Sequence, residues 1–338
     1  MAETNFSDIG KVEAIASLYA GTPFKPFEKQ RFEATGREIV VSAARTFLEG
    51  IDFDLVYFPL KHLGYKCATA VAGELYAQMA HPALLSVVLG VSSKLDFAQI
   101  KELWSGIVVA AKEHGFKNVS LDLVPSPNGL CINISAVGEE TILTDKRRPA
   151  PKPKDLLCVS GPLGAAYLGM SLLVHEKALF DKGETDHVER EKSLSQYKML
   201  VGAYLKPELP ADAVSGLEKA EIIPSAGVFI SGGLSDAVKR LVRETGLGAK
   251  VYADKIPFEG NSFQLGKQLD IDPISAAMNG GDDFKLLFAV PILSLEKFRR
   301  EFQTFEIIGH LAQEEVGTVL VTPDGVELPL KAQGWNEE

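Results

Sequence analysis

Two segments of the chain run from an apolar strand through a glycine-rich turn into a helix, and this repeated pattern constrains the fold most. The first is DLLCVSG at 155–161, which leads through SGPLG into a helix predicted from Ala165 to Leu173. The second is AGVFISG at 226–232, which leads into a helix predicted from Leu234 to Thr245. A helix N-terminus exposes backbone amides that can bind an anion. Each turn is therefore a candidate anion site, with a plain tight turn as the alternative.

A proline-rich segment, RRPAPKPK at 147–154, divides the chain. Its prolines alternate with small or charged residues, which favours an extended, solvated conformation. We predict a linker over 147–154, an N-terminal domain over 1–146 and a C-terminal domain over 155–338. A chain of 338 residues is long enough for two domains of ordinary size.

Helices and strands are mixed on both sides of this linker. The N-terminal half contains the most regular helix, 97–115, whose apolar residues repeat at helical spacing. In the same half, 118–124 and 130–138 are expected to pair as a hairpin around the turn PSPNG. The other predicted strands are 37–43, 84–91, 249–257 and 282–290, and the other predicted helices are 65–80 and 296–302. No strict βαβ rhythm is present, so we predict the α+β class.

Composition excludes several classes of protein. The net charge is −10 and the pI is about 5.3, which argues against general nucleic-acid binding but leaves small nucleotides open. Three scattered cysteines without a CxxC motif predict reduced thiols. The first residues lack a signal-peptide pattern, and no apolar run is long enough to span a bilayer. We therefore expect a soluble cytoplasmic protein without membrane partners.

Five segments, read together, resemble thiamine-monophosphate kinase, a family of the aminoimidazole-ribonucleotide synthetase superfamily. The resemblance extends over about 37–335. It implies a two-domain α+β fold in which the sheet of the N-terminal domain pairs with a second subunit, with the active cleft between the domains and across the dimer. The segments are GYKCATAVAGELYAQMAHP (64–82), SGPLGAAYLG (160–169), VFISGGLSDAVKRL (228–241), NGGDDFKLLFAV (279–290) and KAQGW (331–335).

The resemblance also implies an activity and a set of site residues. The family transfers the γ-phosphoryl group of ATP to thiamine monophosphate, giving thiamine diphosphate, with ATP and Mg²⁺ as cofactors. Matching positions imply catalytic roles for Glu74 and Asp122. The implied Mg²⁺ ligands are Glu28, Glu74, Asp122 and Asp283; the implied nucleotide-binding residues are Asp122, Arg148 and Ser231; the implied substrate-binding residues are Asp52, Asp282 and Trp335.

The chain departs from the family at several acidic positions. Phe229 and Gly232 stand where the family has carboxylates, and Lys285 inverts a charge. Lys29 and Arg45 occupy two further acidic positions. Because an Mg²⁺ cluster that loses its metal leaves carboxylates that repel each other, these changes are typical of a retired metal site in which Lys29 and Arg45 neutralise nearby acids. The alternative is a site changed to bind an anion directly through Arg and Lys.

Two hypotheses about function remain at this point. The first is a kinase of impaired activity that still takes ATP and thiamine monophosphate. The second is a non-catalytic, ligand-binding relative, a pseudoenzyme that keeps the homodimeric fold. Ordinary surface charge is the competing interpretation for any one of the acidic residues taken alone.

Overall fold

The protein is described by a computed structural model that covers residues 11–26, 39–140 and 148–331. The chain divides into two compact units, Met1–Asp145 and Lys146–Glu338. Each unit combines one sheet with packed helices, so the α+β class is confirmed. Among the described helices, none is both long and apolar enough to cross a membrane.

The N-terminal unit is built on a four-stranded sheet with the strand order β1-β4-β2-β3. Helix α2 packs against β1, β4 and β2, and α3 packs against α2. The strands are β1 (Ile39–Leu48), β2 (Ala80–Val91), β3 (Asn118–Pro125) and β4 (Cys131–Glu140), and the helices are α1 (Lys11–Tyr19), α2 (Leu60–Ala77) and α3 (Phe97–Glu113).

The predicted hairpin between 118–124 and 130–138 is wrong, because β2 is inserted between these two strands. β3 pairs with β2 in parallel, and β4 pairs with β1 and β2 in antiparallel register. The connection from β3 crosses the end of β2, where the Ser126 N–H donates to the Val91 carbonyl at 2.9 Å. Helix α3 forms the crossover that parallel pairing of β2 and β3 requires.

The residues next to each helix end determine where α2 ends and where α3 begins. α3 begins with a capping box, in which the Asp96 carboxylate accepts from the Gln99 N–H and the Gln99 side chain accepts from the Asp96 N–H. The predicted helix over 65–80 ends at Ala77 instead, since Met79 has a φ of 60° and β2 begins at Ala80.

Two glycines allow α2 and α3 to approach at backbone distance. A Cβ built on Gly64 would overlap the Leu103 carbonyl oxygen, and one built on Gly106 would overlap the Lys61 carbonyl oxygen. The helix predicted over 65–80 therefore packs closely against its neighbour.

The C-terminal unit is built on a seven-stranded sheet with the order β11-β10-β7-β9-β5-β8-β6. One apolar cluster lies between this sheet and the helices over 234–245 and 273–279, and a second joins the helices over 165–181, 198–205, 262–269 and 273–279. The strands are β5 (Leu156–Val159), β6 (Ala226–Ile230), β7 (Gly248–Tyr252), β8 (Lys285–Val290), β9 (Glu306–Ala312), β10 (Thr318–Val321) and β11 (Glu327–Pro329).

Both helices that were predicted to follow the glycine turns are present in this unit. The helix predicted over 234–245 is confirmed as α8, and the one predicted from Ala165 continues to Asp181 as α4. The helices are α4 (Ala165–Asp181), α5 (His187–Gln196), α6 (Lys198–Leu205), α7 (Ala213–Lys219), α8 (Leu234–Thr245), α9 (Ser262–Leu269), α10 (Pro273–Asn279) and α11 (Leu295–Glu301).

Candidate functional site

Three glycine-containing segments meet at one edge of the C-terminal sheet, and we call 160–164, 231–233 and 280–284 together the glycine corner. β5 and β6 end here and β8 begins here, because β8 runs antiparallel to both; Val159 is in register with Leu287, and Ile230 with Lys285. The corner therefore brings together three of the segments that carry the family resemblance.

The N-terminus of α4 is occupied by a carboxylate from the chain itself. The N–H groups of Gly164 and Ala166 donate to the two carboxylate oxygens of Asp283, at 2.7 and 3.2 Å. Gly164 has a φ of 76°, and a Cβ there would lie 2.8 Å from the Ala277 nitrogen, so the turn requires glycine. The candidate anion site at this turn is thus occupied by the Asp283 carboxylate.

Asp283 is almost completely buried, with 3% of its surface exposed. Burial raises the pKa of its carboxyl group to about 7, while the two amide hydrogen bonds and the Lys285 ammonium oppose that rise. The neighbouring Asp282 carboxylate adds to the rise in pKa. Asp283 is therefore held by the backbone in an apolar environment.

The loop that carries Asp283 has an unusual backbone. Gly281, Asp282 and Phe284 all have positive φ angles, of 79°, 61° and 52°. Such angles are costly for Asp and above all for Phe, and they persist only where the surroundings determine them. Hydrogen bonds from the Asp282 N–H to the Ser231 carbonyl and from the Phe284 N–H to the Ile230 carbonyl hold the loop in place.

The two positions where the family has acids carry no carboxylate in this corner. Phe229 is fully buried, and its ring centroid lies 5.1 Å from that of Phe284. Gly232 is exposed, and the nearest carboxylate, Asp236, is bound by Arg240 at 3.0 Å. Arg240 also donates to the Phe229 carbonyl. An aromatic pair and an ion pair therefore occupy the space around these positions.

In the N-terminal unit, Arg45 and Asp122 lie on opposite faces of the sheet. Asn133 is in register with Thr46 on β1 and with Val88 on β2, and its side chain donates to the Thr46 hydroxyl. Val88 is in turn in register with Asp122 on β3. The side chains of Thr46, Asn133, Val88 and Asp122 therefore share one face of the sheet. Arg45 precedes Thr46 and points to the other face, where its guanidinium lies over the Phe47 ring. Three inter-strand spacings, ~14 Å, also separate β1 from β3. Arg45 and Asp122 of one chain therefore do not lie side by side.

The remaining predicted residues are distributed over both units. The Asp52 carboxylate accepts from the Leu48 N–H at 2.8 Å and closes the turn after β1. Glu74 is half-buried on α2, and Arg148 is half-buried just before Leu156–Val159. Ser231 and Asp282 are adjacent in the glycine corner. Glu28, Lys29 and Trp335 lie outside the described residues.

The described part of the chain does not fit a resident Mg²⁺ ion. Within residues 11–26, 39–140 and 148–331, no three Asp, Glu, His or Cys side chains come together closely enough to hold a metal. Mg²⁺ requires near-octahedral oxygen coordination, and Asp283, the buried acid of the corner, is already bound to two amides. No chemical step through Mg²⁺ follows from these residues.

Sequence reasoning missed two acids that lie near the corner. Glu208 and Glu259 both act electrostatically on the Lys285 ammonium, although they precede it by many positions. No motif marks either residue, because their relation to Lys285 depends on the path of the chain between helices. Only the tertiary structure could identify them.

Comparison with known proteins gives one family match and several relatives. Residues 31–139 match the N-terminal domain of AIR synthase related proteins. The thiamine-monophosphate kinase of Bacillus subtilis (strain 168) is 23% identical over 296 residues, covering 86% of each chain. The thiamine-monophosphate kinase of Pyrococcus horikoshii is 28% identical over 273 residues, covering 80% of this chain and 78% of the relative.

A solved structure extends the likeness to both units. The structure of ThiL complexed with AMPPCP and TMP superposes with a TM-score of 0.70 at 20% identity, and the match covers 97% of each chain. At that identity the superposition shows the fold. Together with the sequence relatives and the matched N-terminal domain, it shows that the chain is similar to thiamine-monophosphate kinases along both units.

Proposed function

We propose that this protein is a thiamine-monophosphate kinase-type protein that binds ATP and thiamine monophosphate and transfers the γ-phosphoryl group slowly. The observation that carries the proposal is that the likeness to thiamine-monophosphate kinases extends along both units of the chain. The product would be thiamine diphosphate. Direct in-line transfer needs no covalent intermediate with the protein.

The slow rate follows from missing charge. Phosphoryl transfer depends on positive charge placed at the phosphates, usually by metal ions held by carboxylates. Phe229 and Gly232 replace two family acids, and the described residues assemble no metal site. We therefore propose turnover far below the roughly 1–100 per second that is ordinary for kinases.

The residue roles implied by the resemblance are part of this proposal. Asp122, Arg148 and Ser231 would contact the nucleotide, and Asp52, Asp282 and Trp335 would contact thiamine monophosphate. Glu74 and Asp122 would be catalytic, and Glu28, Glu74, Asp122 and Asp283 would be the acids left at the metal positions. The contact between Ser231 and Asp282 supports placing nucleotide and substrate groups near one corner.

A second candidate is a non-catalytic relative that binds a ligand without turnover. One observation favours it: the Asp283 carboxylate accepts hydrogen bonds from two N–H groups at the N-terminus of α4. A phosphate could otherwise be bound by these N–H groups. For both candidates we propose a homodimer formed through the N-terminal sheet and a cytoplasmic location.

One pair of measurements tests the proposal. Calorimetric titration with AMPPCP and with thiamine monophosphate, each with and without Mg²⁺, measures binding, and formation of thiamine diphosphate from ATP measures turnover. Binding of both ligands with slow product formation supports the kinase-type function. Binding without any product supports the second candidate, and turnover of about 1 per second or faster would contradict impairment. A folded protein that binds neither ligand would contradict both.

A further inference from the structure

A cleft with a volume of about 600 Å³ lies between α7 and α11 in the C-terminal unit. Its lining comes from these two helices, from the turn before α7 and from the segment 302–305. None of these residues belongs to the glycine corner or has a role in the proposed kinase-type function. The volume is in the range of roughly 300–1,000 Å³ that is typical of small-molecule sites.

The wall that α7 contributes is made of small residues. Ala213, Gly216 and Ala220 all line the cleft, and their spacing places them on one side of the helix. A Cβ on Gly216 would lie 3.4 Å from Phe302 Cε1, which is an ordinary contact distance. Among the described elements, α7 and α11 are not a closely packed pair. The small residues therefore leave space between these helices, unlike the glycines that bring α2 and α3 together.

Aromatic rings form the apolar part of the lining. Phe302 is half-buried, and its ring stacks on Phe298 with the centroids 5.3 Å apart. Phe305 is buried; it meets Phe302 edge-on at 5.8 Å and stacks on Phe288 of β8 at 6.2 Å. Phe302 and Phe305 are thus fixed to the sheet, and Phe302 presents a ring against which a flat apolar group can pack.

The charged part of the lining favours an anion. Three cations, Lys219, Lys297 and Arg300, line the cleft together with two carboxylates, Asp212 and Glu301, which leaves an excess of one positive charge. The chain as a whole has a net charge of −10. The cleft is therefore a locally basic site on an acidic protein, and it attracts small anions that the rest of the surface repels.

The existing ion pairs of these cations leave them available to a ligand. Arg300 Nε is bound to Glu301 at 2.9 Å, but the Arg300 side chain is 72% exposed. Lys297 Nζ lies 3.8 Å from Glu221 Oε2, and the Glu221 side chain is 74% exposed. Lys219 forms no ion pair with any residue that the structure describes. Exposed pairs of this kind are weak, so a phosphate group can replace them.

We propose that this cleft binds a small aromatic phosphate monoester, with its ring against Phe302 and its phosphate among Lys219, Lys297 and Arg300. A phosphate carries nearly two negative charges and three acceptor oxygens, which suit three cations better than a carboxylate does. The ligand would be a second one beside those of the proposed kinase-type function, and the inference does not depend on that function.

A simpler reading is a solvated groove whose lysines attract any anion. The two readings differ in selectivity. A solvated groove would bind inorganic phosphate and an aromatic phosphate equally, and filling its apolar part would change nothing. A built site gains from the ring as well as from the charge, and it loses the ligand when either part is removed.

The test is ligand-observed NMR titration of the full chain with phenyl phosphate, benzoate, inorganic phosphate and phenol, each with and without saturating AMPPCP. We expect phenyl phosphate to bind about tenfold more tightly than each of the other three probes. AMPPCP should leave its Kd unchanged, whether or not AMPPCP itself binds. Equal affinities for phenyl phosphate and inorganic phosphate would overturn the proposal, and so would displacement of phenyl phosphate by AMPPCP.

Two variants locate the binding. Gly216→Leu fills the apolar part of the cleft, and the double variant Lys219→Gln/Lys297→Gln removes two of its cations. Lys239→Gln is the matched control, at an exposed lysine of α8 that does not line the cleft. We expect each cleft variant to weaken phenyl phosphate binding by about tenfold or more, and the control to bind as wild type does.

Thermal unfolding shows which variants are folded. A folded cleft variant that binds phenyl phosphate as wild type does would overturn the proposal. Should Gly216→Leu not fold, the lysine variant decides, because both of its changes are at the surface.

Discussion

At the residue scale, Phe229 determines what the glycine corner can contain. Its ring is fully buried and tilts against Phe284, whose backbone has a positive φ. An acid at this position would lie in the apolar core beneath the loop. Replacing Phe229 by the carboxylate that the family has here would therefore disrupt the packing of this unit, and this loss would come before any contribution to a metal site.

The first prediction is that Phe229→Asp lowers the free energy of unfolding of the C-terminal unit by at least ~4 kcal/mol, because a large buried ring is lost and a charge is buried. Phe229→Leu, which remains apolar, should cost only about 1–2 kcal/mol. Urea unfolding followed by circular dichroism measures both. Equal midpoints for Phe229→Asp and wild type would contradict a core role for this residue.

The second prediction concerns His114, which caps the C-terminus of α3. Burial lowers the pKa of His114 to about 4, and the Glu113 carboxylate opposes this change. Its Nδ1 lies 3.2 Å from the Tyr76 hydroxyl, and its Nε2 is buried without a partner in the described structure. The folded state therefore favours the neutral ring.

Because the folded pKa is below the unfolded value of about 6.5, unfolding takes up a proton between these values. The contribution of His114 is fully present above about pH 6.5 and is lost as the pH falls toward 4, at most about 3 kcal/mol in total. We expect the drop in Tm between pH 7 and pH 4.5 to be smaller in His114→Gln than in wild type. The exposed His175→Gln is the control, and an equal drop in His114→Gln would contradict the prediction.

At the scale of elements, the contact between α2 and α3 depends on two glycines, which have no side chain to keep the helices apart. Gly64 and Gly106 place the backbone of each helix against a carbonyl of the other, at Leu103 and Lys61. Glycine lowers the intrinsic stability of a helix by about 1 kcal/mol relative to alanine. In this pair of helices, close packing more than offsets that loss.

The third prediction compares two Gly→Ala substitutions in helices. Gly106→Ala should destabilise the N-terminal unit by about 3 kcal/mol or more, since the added methyl group forces the backbones apart. Gly202→Ala in α6, where no atom lies within 4 Å of the new Cβ, should stabilise by up to ~1 kcal/mol. Differential scanning calorimetry measures both changes. The same effect in both variants would contradict close packing at Gly106.

At the scale of the whole molecule, one face of the N-terminal sheet exposes apolar side chains. Val40, Leu48, Val88 and Val124 are each 36–45% exposed and lie on the same face as Asp122. An apolar sheet face is usually covered by another layer. This supports the proposal that the face pairs with a second subunit.

The fourth prediction is that the protein is a homodimer at micromolar concentration and that Val88→Glu weakens it. A charge at the centre of an apolar interface is desolvated without a partner. Val174→Glu, at an exposed valine of α4 in the other unit, should leave the dimer intact. Light scattering measures the masses, and a monomer mass for wild type would contradict the prediction.

Local features were predictable from the sequence because their causes lie within a few residues. The glycine turns, α8 and the stripe of α3 follow from spacing and from the residues at each helix end. The resemblance to thiamine-monophosphate kinase was likewise carried by short segments. Composition by itself argued against general nucleic-acid binding, because net charge acts over the whole surface.

Relations between distant segments were decided only by the tertiary structure. β2 is inserted between two strands that looked like a hairpin, because strand pairing depends on the crossover through α3. Asp283 reaches amides 119 and 117 positions away, and Lys285 reaches a carbonyl 77 positions away. The sequence shows which acids were lost, but only packing determines that a carboxylate and an ammonium of the chain itself occupy the glycine corner.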